Sequence, residues 1–314
     1  MNQSSGNKEL AAGIVSAGLS YILWGILPLF WKLVDEVPAG EILAHRIVWS
    51  LVFMLVILGC LRKMPSFTKE LKVLVRNRKR LIGISLASIF ISINWGLYIW
   101  AVNADRIIEA SLGYYINPLV SILLAVIVLK EKLSILQTLS IILAGVGVLV
   151  LTFSFGTFPW VAIMLALSFA FYGLIKKMVQ VGALVGLAIE TLLITPFALL
   201  FLGYVHGGAS GEGGAFGSDF GVTFLLLLAG VVTAVPLLLF ASGAKRIPLS
   251  MVGLLQYFAP TIKLIIGVYL FHEPFTSAHL VAFVCIWAAL GIYTFTLMRG
   301  WRLKRGVQVV GKGI

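Results

Sequence analysis

The sequence predicts an all-α polytopic membrane protein: ten transmembrane helices, arranged as two inverted five-helix repeats, with both termini cytoplasmic. Three observations carry that prediction. First, 60% of the 314 residues are hydrophobic and 11% charged, with a mean hydropathy of +1.05, outside the range of globular domains. Second, Leu19-Ser20-Tyr21-Ile22-Leu23-Trp24-Gly25 returns 148 positions later as Leu167-Ser168-Phe169-Ala170-Phe171-Tyr172-Gly173. Third, Lys and Arg are almost confined to alternate connections between the apolar runs.

A hydrocarbon core of roughly 30 Å takes about 20 helical residues to cross. Ten apolar runs of that length can be cut from the chain. The first, 10–31, exceeds a signal-peptide core and carries Trp24, Pro28 and Trp31 into its end, so it reads as a retained span. The others fall at 40–60, 81–101, 107–129, 135–152, 158–176, 183–204, 221–243, 249–271 and 277–298. Connections are mostly short, while the Gly-rich stretch 205–220, with Glu212 and Asp219, reads as an exposed flexible loop.

Basic residues in short loops are retained on the cytoplasmic side and so fix direction. Lys8, the run Arg62 to Arg80, Lys130, Lys132, Lys176, Lys177, Lys245, Arg246 and the tail from Arg299 to Lys312 place 20 of the 24 basic residues on one side. Lys32 and Arg106 lie opposite, and Arg46 and Lys263 fall inside spans. The excess of 24 basic over 12 acidic residues is therefore topological. It forms no soluble basic face for nucleic acid, and the run from Arg62 to Arg80 is suited to contact anionic lipid. Cys60 and Cys285 sit within apolar runs and offer neither metal-ligand spacing nor a disulfide framework.

The duplication continues beyond its opening match. At an offset of 140, Ala101, Ala104, Arg106, Ile107 and Gly113 meet Ala241, Ala244, Arg246, Ile247 and Gly253; at 142, Tyr115, Pro118 and Glu131 meet Tyr257, Pro260 and Glu273. The repeats are thus 1–152 and 153–314. Five spans is an odd number, so the second copy is expected upside down relative to the first, the architecture of alternating-access carriers.

Several of these segments resemble a known family. Tyr21-Ile22-Leu23-Trp24-Gly25-Ile26-Leu27-Pro28, Glu41-Ile42-Leu43-Ala44-His45-Arg46, Trp100-Ala101-Val102-Asn103, the stretch Glu109 to Pro118, Phe169 to Leu174, and Gln256-Tyr257 with Pro260 are similar in order and spacing to the EamA, or drug/metabolite transporter, superfamily, and most closely to its RarD-like branch. The resemblance spans about residues 10 to 298. It implies a ten-helix carrier of small metabolites or drugs in a bacterial inner membrane, with spans 5 and 10 peripheral. RarD-like proteins are called chloramphenicol-sensitivity proteins.

An ionisable side chain in hydrocarbon costs at least about 2.5 kcal/mol, so each one inside a span is a functional candidate. Arg46 lies about 9 Å beyond the start of span 2, beside His45. Glu190 falls near its pseudo-equivalent in span 7 when Ala44 is set against Ala188. Two readings of Arg46 stay open: contact with Glu190 across the pseudo-twofold, or a forked pair with a substrate carboxylate. His45 is a candidate ligand contact or proton relay. Lys263 lies about 21 Å into span 9, on one face with Gly253, Gln256 and Pro260. In span 4, Glu109, Gly113, Asn117 and Ser121 form a polar stripe. Pro28, Pro118 and Pro260 are expected helix breaks, and Gly25 and Gly173 sites of close helix approach. Trp24 and Tyr172, with Asn94 and Trp95, are expected to wall an apolar pocket.

The function expected is a secondary transporter exporting small amphipathic solutes by alternating access, with Glu190 or Glu109 as candidate proton-binding groups and facilitated diffusion equally consistent. No Gly-Lys-Ser/Thr follows the glycines of 207–217, so no ATP site is expected, and no cofactor or metal. A membrane-embedded enzyme on lipid-linked substrates would need a clustered catalytic set, whereas His206, His272 and His279 are scattered. A non-transporting receptor or assembly factor is disfavoured by the intramembrane charges.

Overall fold

The computed structural model describes residues 3–310 except 105, 155, 157, 180, 208–212 and 271–274, and no side chain at 3–7, 99, 102, 103, 107, 108 or 297–310. Expectations resting on Glu212, His272, Glu273, and the side chains of Asn103 and of the basic tail from Arg299 to Lys312 lie outside what is described.

Twelve α-helices account for the described chain: α1 (Gln3–Trp31), α2 (Ala39–Cys60), α3 (Met64–Arg76), α4 (Arg78–Asn103), α5 (Ile107–Ile127), α6 (Ile135–Ser154), α7 (Trp160–Met178), α8 (Ala183–His206), α9 (Phe220–Arg246), α10 (Leu249–Leu255), α11 (Phe258–Leu270) and α12 (Ser277–Val310). Ten segments among the described residues are long and apolar enough to cross a membrane, and they coincide with the ten expected runs. The protein is an all-α multi-span membrane protein.

Two helices exceed that count for separable reasons. The basic connection between spans 2 and 3 folds as α3, which buries Phe67 and Leu74 in the main core while Lys69, Lys72 and Arg76 stay exposed. Its apolar groups recur two turns apart, which gives the short helix one face to pack. Span 9, in contrast, is divided at Gln256-Tyr257 into α10 and α11. Pro260 has no N–H to give the Gln256 carbonyl, which instead receives the Ala259 N–H at 3.1 Å, and the helix restarts there. Pro118 was expected to break span 4 in the same way, yet α5 runs through it unbroken, as α1 runs through Pro28. The two halves differ at this point.

Helix packing has a regularity of its own. When each span is exchanged with its counterpart five spans away, the principal contacts map onto one another: α1 with α9 onto α7 with α4, α5 with α7 onto α11 with α1, and α2 with α9 onto α8 with α4. Three pairings map onto themselves, namely α2 with α8, α5 with α10, and α6 with α12. The last pair packs chiefly on itself and stands outside the other helices. Each half's opening helix therefore packs in the opposite half.

Two carboxylates fasten the ends of these interdigitated helices. Lys130 adopts a positive φ of 53° just beyond α5, and the turn it makes delivers Glu131 to the start of α10. There the carboxylate accepts the N–H groups of Leu249 (2.7 Å) and Ser250 (3.1 Å) and the Ser250 hydroxyl (2.7 Å). At the start of α7, Glu109 Oε1 accepts the Val161 N–H at 2.8 Å while Oε2 pairs with Arg106 at 3.2 Å. A carboxylate at a helix N-terminus satisfies otherwise unpaired donors and meets the positive end of the dipole.

Candidate site in the transmembrane cavity

A cavity of about 280 Å³ lies between the two halves. Its walls come from α1, α2, α4 and α5 of the first half and α7, α9, α11 and the α10/α11 turn of the second. The lining residues of α1, Tyr21 to Trp31, are in its last part, whereas those of α5, Ala110 to Asn117, are in its first part. With helices alternating in direction, this places the cavity in the half of the bundle remote from the chain's N-terminus.

Close packing of the walls depends on two glycines. A Cβ on Gly25 would meet the Ile262 Cβ at 2.7 Å, and one on Gly113 the Ala162 carbonyl oxygen at 3.0 Å. The absence of side chains there lets α1 lie on α11 and α5 on α7. Below the cavity, rings from both halves close the space. Trp24 packs on Tyr21, Phe169 and Phe240 with centroids 5.4 to 5.8 Å apart, and Tyr172 stacks on Phe240 at 5.8 Å.

Polar groups of the wall are held in place by neighbouring helices. Asn94 Nδ2 donates to the Leu165 carbonyl (2.9 Å) and to Ser168 Oγ (3.0 Å), tying α4 to α7. Gln256 Nε2 donates to Ser121 Oγ at 3.1 Å, and Ser121 Oγ to Asn117 Oδ1 at 3.3 Å, so the turn in span 9 is bound to span 4. Each bond fixes an amide of the cavity wall.

Both cations expected inside spans reach this wall. Arg46 Nε donates to Thr233 Oγ1 at 3.0 Å, and its guanidinium lies 4.6 Å from the Trp31 ring centroid and 5.1 Å from that of Trp95. Lys263 Nζ sits 3.5 Å above the Tyr114 ring. Cation to π-face attraction gives each charge partial compensation in place of water. No Asp or Glu is among the lining residues.

Trp24, Arg46, Asn94, Asn117, Gln256, Pro28, Pro260 and Lys263 thus line one cavity. Other expected residues lie elsewhere. Glu190 does not approach Arg46: its Oε1 is 2.6 Å from Lys176 Nζ, and Oε2 accepts the Tyr172 hydroxyl at 3.3 Å. Tyr172 is fully buried one layer beneath the cavity, with Gly173 against Phe240, so it contributes no wall. Glu109 is occupied as the cap of α7 rather than extending the stripe into the cavity. Pro118 stands outside the lining.

His45 also lies outside it. Its Nδ1 accepts from Trp49 Nε1 at 3.2 Å, and its ring stacks on Phe216 at 4.7 Å. Glu41, His45 and His206 converge within 4.8 Å, a grouping that invites a metal reading. Indole N–H can only donate, so the neutral His45 ring carries its proton on Nε2, which then has no lone pair to offer a cation. Glu41 meanwhile accepts the N–H groups of Ala215 (2.8 Å) and Phe216 (3.1 Å). The donor set ties the loop before α9 onto α2.

Sequence reasoning missed Trp31, Tyr98, Tyr114, Phe169 and Thr233 as lining residues, and Lys176 as a buried partner. Phe169 belongs to the repeated segment, which was its available signal. Tyr114 lies in the stretch Glu109 to Pro118 that carries the resemblance, whereas Tyr98 had only its place in the span of Asn94.

Ten apolar spans, seven of which wall a cavity with charged and polar groups, define the class of multi-span membrane transporters, and the comparisons agree. The EamA-like transporter family matches residues 11–153 and 159–295. A Bacillus subtilis protein described as uncharacterized transporter YojE is 49% identical over 95% of this chain and 98% of its own. Protein RarD of Streptomyces exfoliatus is 44% identical over 95% of this chain and 92% of its own. A solved crystal structure covers 90% of this chain and 98% of its own with a TM-score of 0.69; at 16% identity it shows a shared fold. The chain belongs to the EamA-like transporter family, among relatives named RarD, and is a multi-pass bacterial membrane protein.

Proposed function

We propose that this protein is a secondary transporter of the inner membrane that exports small amphipathic metabolites or drugs by alternating access, without acting on them chemically. The single observation that carries this reading is the cavity of about 280 Å³ shared by both halves, with aromatic walls, fixed amides and two half-buried cations. Such concave sites with few convergent polar groups suit one small organic solute. The exchange symmetry of the helix contacts supports an inverted pair of five-span repeats, 1–152 and 153–314, as the moving architecture. With both termini cytoplasmic, the cavity lies on the outer side and the Tyr21, Trp24, Phe169 and Phe240 rings form its inner closure. Proton coupling is assigned to no group of the cavity wall, since Glu109 and Glu190 are both engaged elsewhere.

Reconstitution in liposomes tests the reading. Labelled aromatic and aliphatic metabolites, amino acids and chloramphenicol are offered with and without a pH gradient, and saturable exchange of at least one is expected. Absence of flux for all of them, with release of a chemically altered lipid, overturns it in favour of an enzyme.

A further inference from the structure

We infer that the cargo is an amphipathic organic anion, its acidic group seated between Arg46 and Lys263 and its apolar body against Trp24 and Trp95. This rests on the transporter reading above and narrows its substrate class.

Charge balance carries the argument. Arg46 and Lys263 line the same cavity, and no carboxylate lines it with them. Arg46 uses Nε on Thr233, while its terminal amino groups and all three Lys263 N–H groups have no hydrogen-bond partner among the described residues. Unpaired cations held half out of water carry part of the cost of desolvation, and aromatic faces offset only some of it. A ligand that brings the missing negative charge completes the site. A neutral one leaves both cations as they are, and a cation is repelled by both.

The wall beside Lys263 is formed by Ala259 and Pro260 of the first turn of α11, with Gln256 just before it. The aromatic remainder of the wall excludes a fully hydrated inorganic ion as the preferred occupant, because such an ion would leave the rings facing water.

The same absence of acid distinguishes an anion from a zwitterion. An α-amino acid would bring its ammonium group into a cavity that already holds two cations and has only amide and hydroxyl oxygens to receive it. The des-amino acid is the better fit.

Four ligands of similar shape test this on the purified full-length protein by calorimetric titration: hydrocinnamate, its neutral amide, phenylpropylamine and phenylalanine, each in sulfate and in chloride buffer. Hydrocinnamate is expected to bind about ten- to a hundred-fold more tightly than the amide, the scale of one or two charge-assisted hydrogen bonds, and more tightly than phenylalanine, with the amine weakest. Lys263→Met should bring acid and amide to similar affinity, whereas Lys263→Arg should retain the preference. Binding is read apart from flux, so hydrocinnamate that binds without being carried sinks the transporter reading and leaves the anion site standing. Equal or stronger binding of the amide, amine or zwitterion overturns the inference, as does chloride displacing hydrocinnamate at comparable concentration. A folded Lys263→Met protein that keeps the full preference overturns it as well.

Discussion

Lys176 Nζ lies 2.6 Å from Glu190 Oε1, and both side chains are buried between α7 and α8, beneath the aromatic closure of the cavity. Removing one partner of such a pair leaves a buried charge without compensation, which costs about 3–5 kcal/mol. Glu190→Leu and Lys176→Met alone are each expected to lower the thermal midpoint in detergent strongly, while the double variant recovers most of the loss. Additive losses in the double variant would refute a closed pair.

Tyr172 and Trp24 occupy corresponding positions in the repeat but different layers of the structure. Tyr172→Phe removes one hydrogen bond to Glu190, worth about 1 kcal/mol, and should leave ligand affinity unchanged. Trp24→Leu removes a ring from the cavity wall and should weaken ligand binding by about tenfold. Titration of the two variants side by side checks both, and a loss of affinity confined to Tyr172→Phe would reverse the assignment.

Glu131 holds the start of α10 by three hydrogen bonds. Glu131→Ala should cost about 0.5–2 kcal/mol, as loss of a helix cap does. Hydrogen exchange should rise first at Leu249 and Ser250, and unchanged exchange there would show that the cap is not needed.

Orientation is accessible to labelling. In a background with Cys60→Ser and Cys285→Ala, Lys69→Cys on α3 should react with a membrane-impermeant thiol reagent only from the cytoplasmic side, and Ser218→Cys only from outside. Both positions are exposed, so accessibility is not the limiting factor. The opposite pattern would invert the topology.

Legibility in the sequence followed the kind of interaction. Arg46 and Lys263 were found because a charge in an apolar run is conspicuous whatever surrounds it. Lys176 was hidden by its neighbour Lys177 at the end of a span, where both read as topology charges, and its partner Glu190 is fourteen residues away in another helix. Glu109 reads in the sequence as part of a polar stripe and Glu131 as a repeat match, and only the fold shows which amides each receives. The α3 pattern of Phe67, Leu71 and Leu74 was present but lay within a run dominated by basic residues. Pro118 and Pro260 match in sequence, yet only the second coincides with a divided span, because a proline removes one bond and the packing around it decides whether the helix restarts.

The exchange of opening helices between halves bears on how the chain is made. α1 finds its main packing surface on α9, more than 180 residues downstream, so the first span leaves the translocon without its neighbour and waits for nearly the whole chain to follow. Contacts of such sequence separation are late and slow to form. The first repeat must therefore persist as separately inserted, loosely associated spans until α9 arrives, and truncation before residue 220 should yield an inserted product that quality-control proteases remove.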